Sequence, residues 1–347
     1  MAYYLKIIVT GGASFISSHL VDALLDQDHE VVVVDNFSSG KIENLADARM
    51  NHLPMLQIIE MDISQCSLSH LQDLFYAVNP DLVFHLASVH GGRGYIDSHP
   101  ADVMESSIID YRIFRLCAER KIPVVYASSA CVYPPRLQEE VGHSLREEEA
   151  PLTEKLESDD AYGTGKAYGE LMLDSLHRQY GLRYAAMRFV TAYGPRENES
   201  HAIIALIYKT LSHQDPFEIW GTGEQTRDFT YVADIVSGCV AAGNALIDGV
   251  FDAESINLGT NREYTINETC ELIFDYINWH PSEIKRDTSL PTGVQHRLLN
   301  NNKAKQLLGW TPQYTLAEGL RLTIDHYRET HPNLAGKPVN QKKLWER

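Results

Sequence analysis

Tyr162 and Lys166 stand four residues apart in the segment DAYGTGKAY, residues 160–168. If that segment is a helix, both side chains lie on one face, where an ammonium can sit beside a phenol and favour its phenolate. A phenol tuned in this way is a base for a sugar hydroxyl. On its own such a pair is an ordinary feature of a protein surface. Its meaning depends on the elements that carry it and on what they bring near it.

Those elements are legible as an alternation. LKIIVT, EVVVVD, LQIIEM, DLVFHLA and PVVYASS are short runs rich in β-branched residues, and YAAMRFV continues the series after the Tyr/Lys segment. Between them FISSHLVDALLDQD, LSHLQDLFYAV and ADVMESSIIDYRIFRLCAER carry apolar residues at three- and four-residue steps, the mark of amphipathic helices. The pattern predicts an α/β fold with a doubly wound parallel sheet of the Rossmann type. Residues 1–189 would form a dinucleotide-binding domain. Residues 190–347, with shorter and more mixed fragments, would form a smaller α/β lobe for substrate, the chain crossing between the two. The acidic stretch 139–160 reads as a solvated surface loop or short helix, and the polar tail after His331 as loosely held.

Composition narrows the function classes. The 347 residues contain 47 acidic and 30 basic side chains, a formal charge of −17 that repels polyanions and argues against nucleic-acid binding. No apolar run is long enough to span a membrane, and the chain enters its first strand directly, so the cytoplasm is the expected compartment. Cys66, Cys117, Cys131, Cys239 and Cys270 are odd in number, widely spaced and without a CxxC pair, which predicts free thiols and no zinc site. An anionic ligand would have to be held by locally placed arginines.

The first strand runs into Gly11 and Gly12, and Asp35 ends the second strand 24 residues beyond Gly11. A glycine turn there lets a pyrophosphate approach backbone N–H groups at a helix N-terminus, with Ser14, Phe15 and Ile16 opening the helix. The Asp35 carboxylate suits ribose hydroxyls and disfavours a 2′-phosphate, which points to NAD as the cofactor. Asn36, Asp62 and Ile63 would flank the adenine, and Leu86 and Ala87 the other side of the cleft. A GxxGxxG turn would place glycine at positions 14 and 17, where this chain has Ser14 and Ser17. Each adds a side chain where phosphate approaches or where helix packs on strand.

With Gly11 and Gly12, Asp35, HLA at 85–87, SSACVYP at 128–134 and the Tyr162/Lys166 pair in order, the chain resembles the extended short-chain dehydrogenases that modify nucleotide sugars. AMRFVTAYGPR, EIWGTGEQTRDFTYVAD, INLGT and KAKQLLGWTPQYTLAEGL agree with that resemblance. HLASVHGGRGYI and SSACVYP are most similar to the GDP-mannose 3,5-epimerases, while HPADVMESSI and SHAIIALI resemble the GDP-fucose synthases.

The resemblance implies roles. Tyr162 would take the proton of a sugar hydroxyl while hydride passes to NAD, with Lys166 tuning it and Ser129 supporting the oxygen. Cys131 and His201 match the family's acid/base pair for inverting carbons beside a 4-keto group. Thiol and imidazole both titrate near neutrality, so each can act in either direction. A buried small hydrophobe and a helix cap are the ordinary roles of such a cysteine and histidine. Arg227 and Arg297 match phosphate-binding arginines, Gly91 and Arg93 lie on the loop that faces the sugar, Trp220 falls near the nucleotide base, and Arg188 has a structural reading. Thr191 replaces the family's asparagine. The expected function is an NAD-dependent nucleotide-sugar epimerase of the 3,5 type on a GDP-sugar, working as a homodimer. A 4-epimerase, an epimerase-reductase and a non-catalytic binding protein are the alternatives. Asp35 counts against the NADPH-using reductase, and retention of the Ser/Tyr/Lys set counts against the non-catalytic reading.

Overall fold

The computed structural model describes residues 4–150 and 157–334. The polar tail beyond residue 334, the first three residues and part of the acidic stretch, 151–156, lie outside them.

Seven parallel strands form the central sheet: β1 Lys6–Thr10, β2 Glu30–Asp35, β3 Leu56–Glu60, β4 Leu82–His85, β5 Val124–Ser129, β6 Tyr184–Phe189 and β7 Ala253–Leu258. Their order is β7-β6-β5-β4-β1-β2-β3, so successive strands leave β1 in opposite directions. The helices are α1 Phe15–Leu25, α2 Leu68–Val78, α3 Ser106–Arg120, α4 Ala161–Tyr180, α5 Ala202–Leu211, α6 Val232–Asp248, α7 Ile266–Ile277 and α8 Leu316–Thr330. The helix expected to run through to Arg120 is broken at Glu105, after a short turn of helix at Pro100–Met104.

Strand β2 shows why the strands read as unbroken apolar runs. Val31 and Val33 pack on one face with Leu20, Val21 and Leu24 of α1 and Ile235 and Ala242 of α6. Val32 and Val34 face the other side with Phe75 of α2, Phe114 of α3 and Leu173 of α4. Both faces are covered, and each buried valine contributes roughly 1.5–3 kcal/mol relative to exposure. Sequence beyond residue 189 therefore supplies part of the main sheet through α6 and β7. Among the C-terminal elements, Phe217–Trp220 pairs in parallel with Ile284–Asp287.

Order reversal at β1 and β4 opens a crevice at their carboxyl ends. Gly11 follows β1 with φ +67°, and a Cβ there would come within 2.9 Å of the Ala87 backbone after β4. Serine is accommodated at both variant positions. Ser14 is the extended residue before α1, and Ser17 is buried within a helix that starts directly after the turn.

Candidate functional site

Helix α4 begins where the Asp160 carboxylate accepts the Gly163 N–H at 2.7 Å, a side-chain cap that sets Tyr162 in the first turn and Lys166 in the second. Strand β5 ends at Ser129, whose Oγ accepts the Cys131 N–H at 3.1 Å in the short turn that follows. The same Ser129 side chain lies near the Tyr162 phenol and favours its ionised form. Helix and turn are nearly in contact, because a Cβ on Gly163 would fall 2.2 Å from the Cys131 carbonyl oxygen.

The electrostatics of the Tyr/Lys pair differ from the sequence expectation. Lys166 Nζ is 5.7 Å from the centre of the Tyr162 ring and 4.8 Å from that of Tyr126. Burial pushes the Tyr162 phenol up, Cys131 and Asp160 add to that, and Ser129 only partly opposes it. Burial also pulls Lys166 down, against Asp110 and Glu170. Desolvation thus outweighs the ammonium among the chain's own groups, and the phenolate is not favoured by Lys166 alone.

Cys131 faces a guanidinium. Arg297 Nη1 lies 3.3 Å from Sγ, Nη2 donates to Asp159 at 2.6 Å and Nε donates to Gln138 at 2.8 Å. Burial pushes the Cys131 thiol up while Arg297 opposes it. Asp159 also meets Arg93, which donates to Asp160 at 3.0 Å and to Asp97 at 3.0 Å. Burial raises Asp159, but Arg297 and Arg93 outweigh it and hold the carboxyl low. The acidic stretch read as solvated therefore ends in two carboxylates committed to arginines, with side chains only 6% and 11% exposed.

His201 precedes α5 in extended backbone and makes no side-chain cap, which removes the capping role considered for it. Its Nδ1 is 2.7 Å from Glu197 Oε1. The ring of His90, from the loop after β4, lies edge-on to both Tyr162 and His201, with centroids 5.8 and 5.4 Å away.

Tyr162, Cys131, His90, His201 and their acidic and arginine partners line one cavity of about 370 Å³, while Lys166 is buried and not among the lining residues. Phe15, Ile16, Gly91, Arg93, Ser129 and Cys131 lie on its walls with Tyr162, Thr191, His201, Trp220, Arg227 and Arg297. Trp220 shares the wall with Gln225 and with Lys209, whose buried ammonium donates to the Glu218 carbonyl at 2.8 Å. Arg227 is half-buried and gives its Nη groups to the carbonyls of Thr226 and Thr292, at 2.6 and 2.5 Å. Burial, then Arg297, lowers its pKa to about 9. Arg188 lies outside the cavity as a structural ion pair, with Nη2 2.8 Å from Glu170.

The remaining candidates mark the crevice. Asp35 accepts the N–H groups of Ala13 and Phe37, at 2.9 and 2.8 Å, one on each oxygen. Asn36 donates to Asp62 at 3.1 Å, Asp62 also caps the turn at Ser64, and Ile63 is buried. Leu86 and Ala87 follow β4, opposite Gly11, while Gly12 faces Val33 of β2. Because Ser14 makes no side-chain cap, the first-turn N–H groups of α1 stay available to an anion. This cradle fits the pyrophosphate and ribose of a dinucleotide.

Sequence reading missed His90, Glu197, Lys209 and Asp159. Glu197 alone carried a local signal, its four-residue spacing to His201 in ENESH. Among the described residues no helix is long and apolar enough to cross a membrane, and no group of three or more His, Cys, Asp or Glu side chains could hold a metal ion.

The chain is similar to known proteins over most of its length. The family model described as the NAD dependent epimerase/dehydratase family matches residues 7–259. UDP-glucose 4-epimerase of Mycolicibacterium smegmatis is 30% identical over 93% of this chain and 99% of its own length. GDP-mannose 3,5-epimerase of Arabidopsis thaliana is 31% identical over 94% of this chain and 82% of its own. The structure of UDP-glucuronic acid 4-epimerase from Bacillus cereus, in complex with UDP-glucuronic acid and NAD, superposes with a TM-score of 0.81 at 27% identity, covering 94% of this chain and all of that one. From the family match over most of its length and from these relatives, the chain belongs to the NAD dependent epimerase/dehydratase family, whose cofactor is NAD.

Proposed function

We propose that this family member is a nucleotide-sugar epimerase of the GDP-mannose 3,5-epimerase type, working through a transient 4-keto sugar. The observation that carries the reading is the presence of two further proton-transfer groups, Cys131 and His201, in the cavity that holds Tyr162. Gly11, Gly12 and the first turn of α1 hold the pyrophosphate of NAD, Asp35 its ribose, and Asn36, Asp62, Ile63, Leu86 and Ala87 the flanks. When bound, NAD supplies reversible two-electron oxidation of the sugar carbinol.

Tyr162 receives the C4 hydroxyl proton and later returns it, and Ser129 bridges phenol and substrate oxygen. The buried phenol ionises poorly beside the chain's own groups, and a cationic cofactor held in this cleft would oppose that burial. A ketone at C4 acidifies the C–H bonds of both neighbours. One of Cys131 and His201 removes that proton and the other delivers one to the opposite face. Arg297 supports thiolate character at Cys131, because its Nη1 points at Sγ.

Arg227 presents a guanidinium matched only to neutral carbonyls among its described bonds, which suits a diphosphate. Trp220 and Lys209 supply a stacking face and a buried donor for the base; the guanosine preference rests on the resemblance of the sugar loop. A homodimer is supported by exposed Ile108 and Tyr111 on α3 and Tyr168 on α4.

A 4-epimerase is the second reading, favoured by the similarity to UDP-glucose 4-epimerase. It needs Tyr162, Lys166 and Ser129 but leaves Cys131 and His201 idle. Cys131→Ala separates the two. With GDP-mannose, the 3,5-type reading expects reduced nicotinamide to form on mixing while the epimerised product disappears. Unimpaired turnover of UDP-glucose by that variant selects the 4-epimerase.

A further inference from the structure

We infer that Glu197 is a positioning residue for His201, an inference that rests on the acid/base reading of His201. His201 has two ring nitrogens, and which one faces substrate is set by what the other bonds. Here Nδ1 is engaged by Glu197 Oε1 at 2.7 Å, leaving Nε2 for the cavity. The histidine stands at the start of α5 without capping it, so no backbone donor competes for its ring.

The carboxylate is not a solvated partner that happens to be near. Its side chain is 2% exposed, on the cavity wall, and Oε2 has no hydrogen-bond partner among the described residues. Its backbone is anchored from the far end of the chain, where the Tyr327 hydroxyl of α8 donates to the Glu197 carbonyl. A buried carboxylate is costly unless something requires it, and burial raises the Glu197 pKa against the opposing contacts of His201 and the Gly194 N–H. Orientation of His201 is that requirement.

Proton accounting is consistent. When the imidazolium delivers the Nε2 proton to a sugar carbon, the ring becomes neutral with its remaining proton on Nδ1, still donated to Glu197. When Nε2 accepts a proton, the cation formed is offset by the same carboxylate. Reprotonation therefore needs no ring flip.

The deciding measurement is ¹⁵N NMR of the histidine rings in the NAD-loaded enzyme at alkaline pH, with His201 assigned through His201→Asn. In wild type and in Glu197→Gln, whose amide oxygen can still accept, the neutral ring should carry its proton on Nδ1. In Glu197→Ala it should move largely to Nε2. An unchanged His201 signal in Glu197→Ala overturns the inference. Should that variant not fold, a Glu197→Gln signal showing the proton on Nε2 does the same.

Catalysis gives the second readout. Solvent-deuterium exchange into GDP-mannose should fall about tenfold to a hundredfold in Glu197→Ala, while formation of reduced nicotinamide is retained and Glu197→Gln recovers part of the exchange. Equal loss of both activities in Glu197→Ala indicates a merely structural role and counts against the inference. Epimerisation that survives His201→Asn instead removes the acid/base reading, while the tautomer result still decides what Glu197 does to the ring.

Discussion

Gly163→Ala isolates the approach of the tyrosine helix to the cysteine turn. A Cβ at 163 would lie 2.2 Å from the Cys131 carbonyl oxygen and 2.9 Å from its carbon. Real contacts of this kind stop near 3.0 Å, so the oxygen must recede by at least about 0.8 Å, the difference between 3.0 and 2.2 Å. Neither side yields freely, because α4 is capped at Asp160 and the turn is tied to Ser129. Overpacking costs roughly 1–3 kcal/mol, and alanine regains up to about 1 kcal/mol in helix propensity. Net destabilisation should therefore lie between about 0 and 3 kcal/mol. Activity should suffer more. A displacement near 1 Å between Tyr162 and the Ser129–Cys131 turn can cost on the order of a hundredfold. Gly165→Ala is the control, since its Cβ would meet only the Met104 sulfur at 3.7 Å, an ordinary contact. The assay is denaturant unfolding of both variants alongside turnover of GDP-mannose. Equal activity in the two would refute the claim that the closeness of helix and turn sets the catalytic geometry.

Other expectations follow from single contacts. Tyr162→Phe should abolish turnover while NAD binding, followed by fluorescence titration, stays within about twofold of wild type, since a ring without a hydroxyl loses only the proton acceptor. Gly11→Ala forces a side chain into a φ of +67° and against Ala87, so calorimetry should show NAD affinity falling at least about tenfold. Glu170 accepts two bonds from Arg188, one from the Ser128 hydroxyl and one from Ser255 at 2.8 Å, and these outweigh its burial and hold its carboxyl low. Its stabilisation is therefore present above the ordinary glutamate value of 4.5 and is lost as pH falls through the lower folded value. Glu170→Gln should cost about 3–5 kcal/mol at neutral pH by urea unfolding and should flatten the acid limb of stability. An unchanged limb would assign acid lability to other carboxylates.

Much of the scaffold was legible because local pattern and global fold agree. EVVVVD is apolar throughout because helices cover both faces of β2, and the spacing of Tyr162 and Lys166 is a helical spacing on a real helix. Site electrostatics were less legible, since they depend on burial and on partners distant in sequence. Asp159 meets Arg297 from 138 residues away, and nothing local distinguishes it from its solvated acidic neighbours. Lys166 was expected to rule the phenol by proximity, yet desolvation has the larger effect on both groups. Ser14 and Ser17 looked disruptive by comparison with glycine, but α1 starts directly after the turn with Ser17 packed inside it. Glu197 is the instructive omission, a four-residue spacing passed over because ENESH carries no helical periodicity.

Incubation of the NAD-loaded enzyme in heavy water with a panel of nucleotide sugars, followed by NMR of the recovered sugar, tests the central claim most directly. The 3,5-type chemistry expects deuterium on a carbon adjacent to C4, with none acquired when Cys131 is alanine. Inversion at C4 with no deuterium at its neighbours would contradict it and leave Tyr162, Lys166 and Ser129 as the whole of the catalytic machinery.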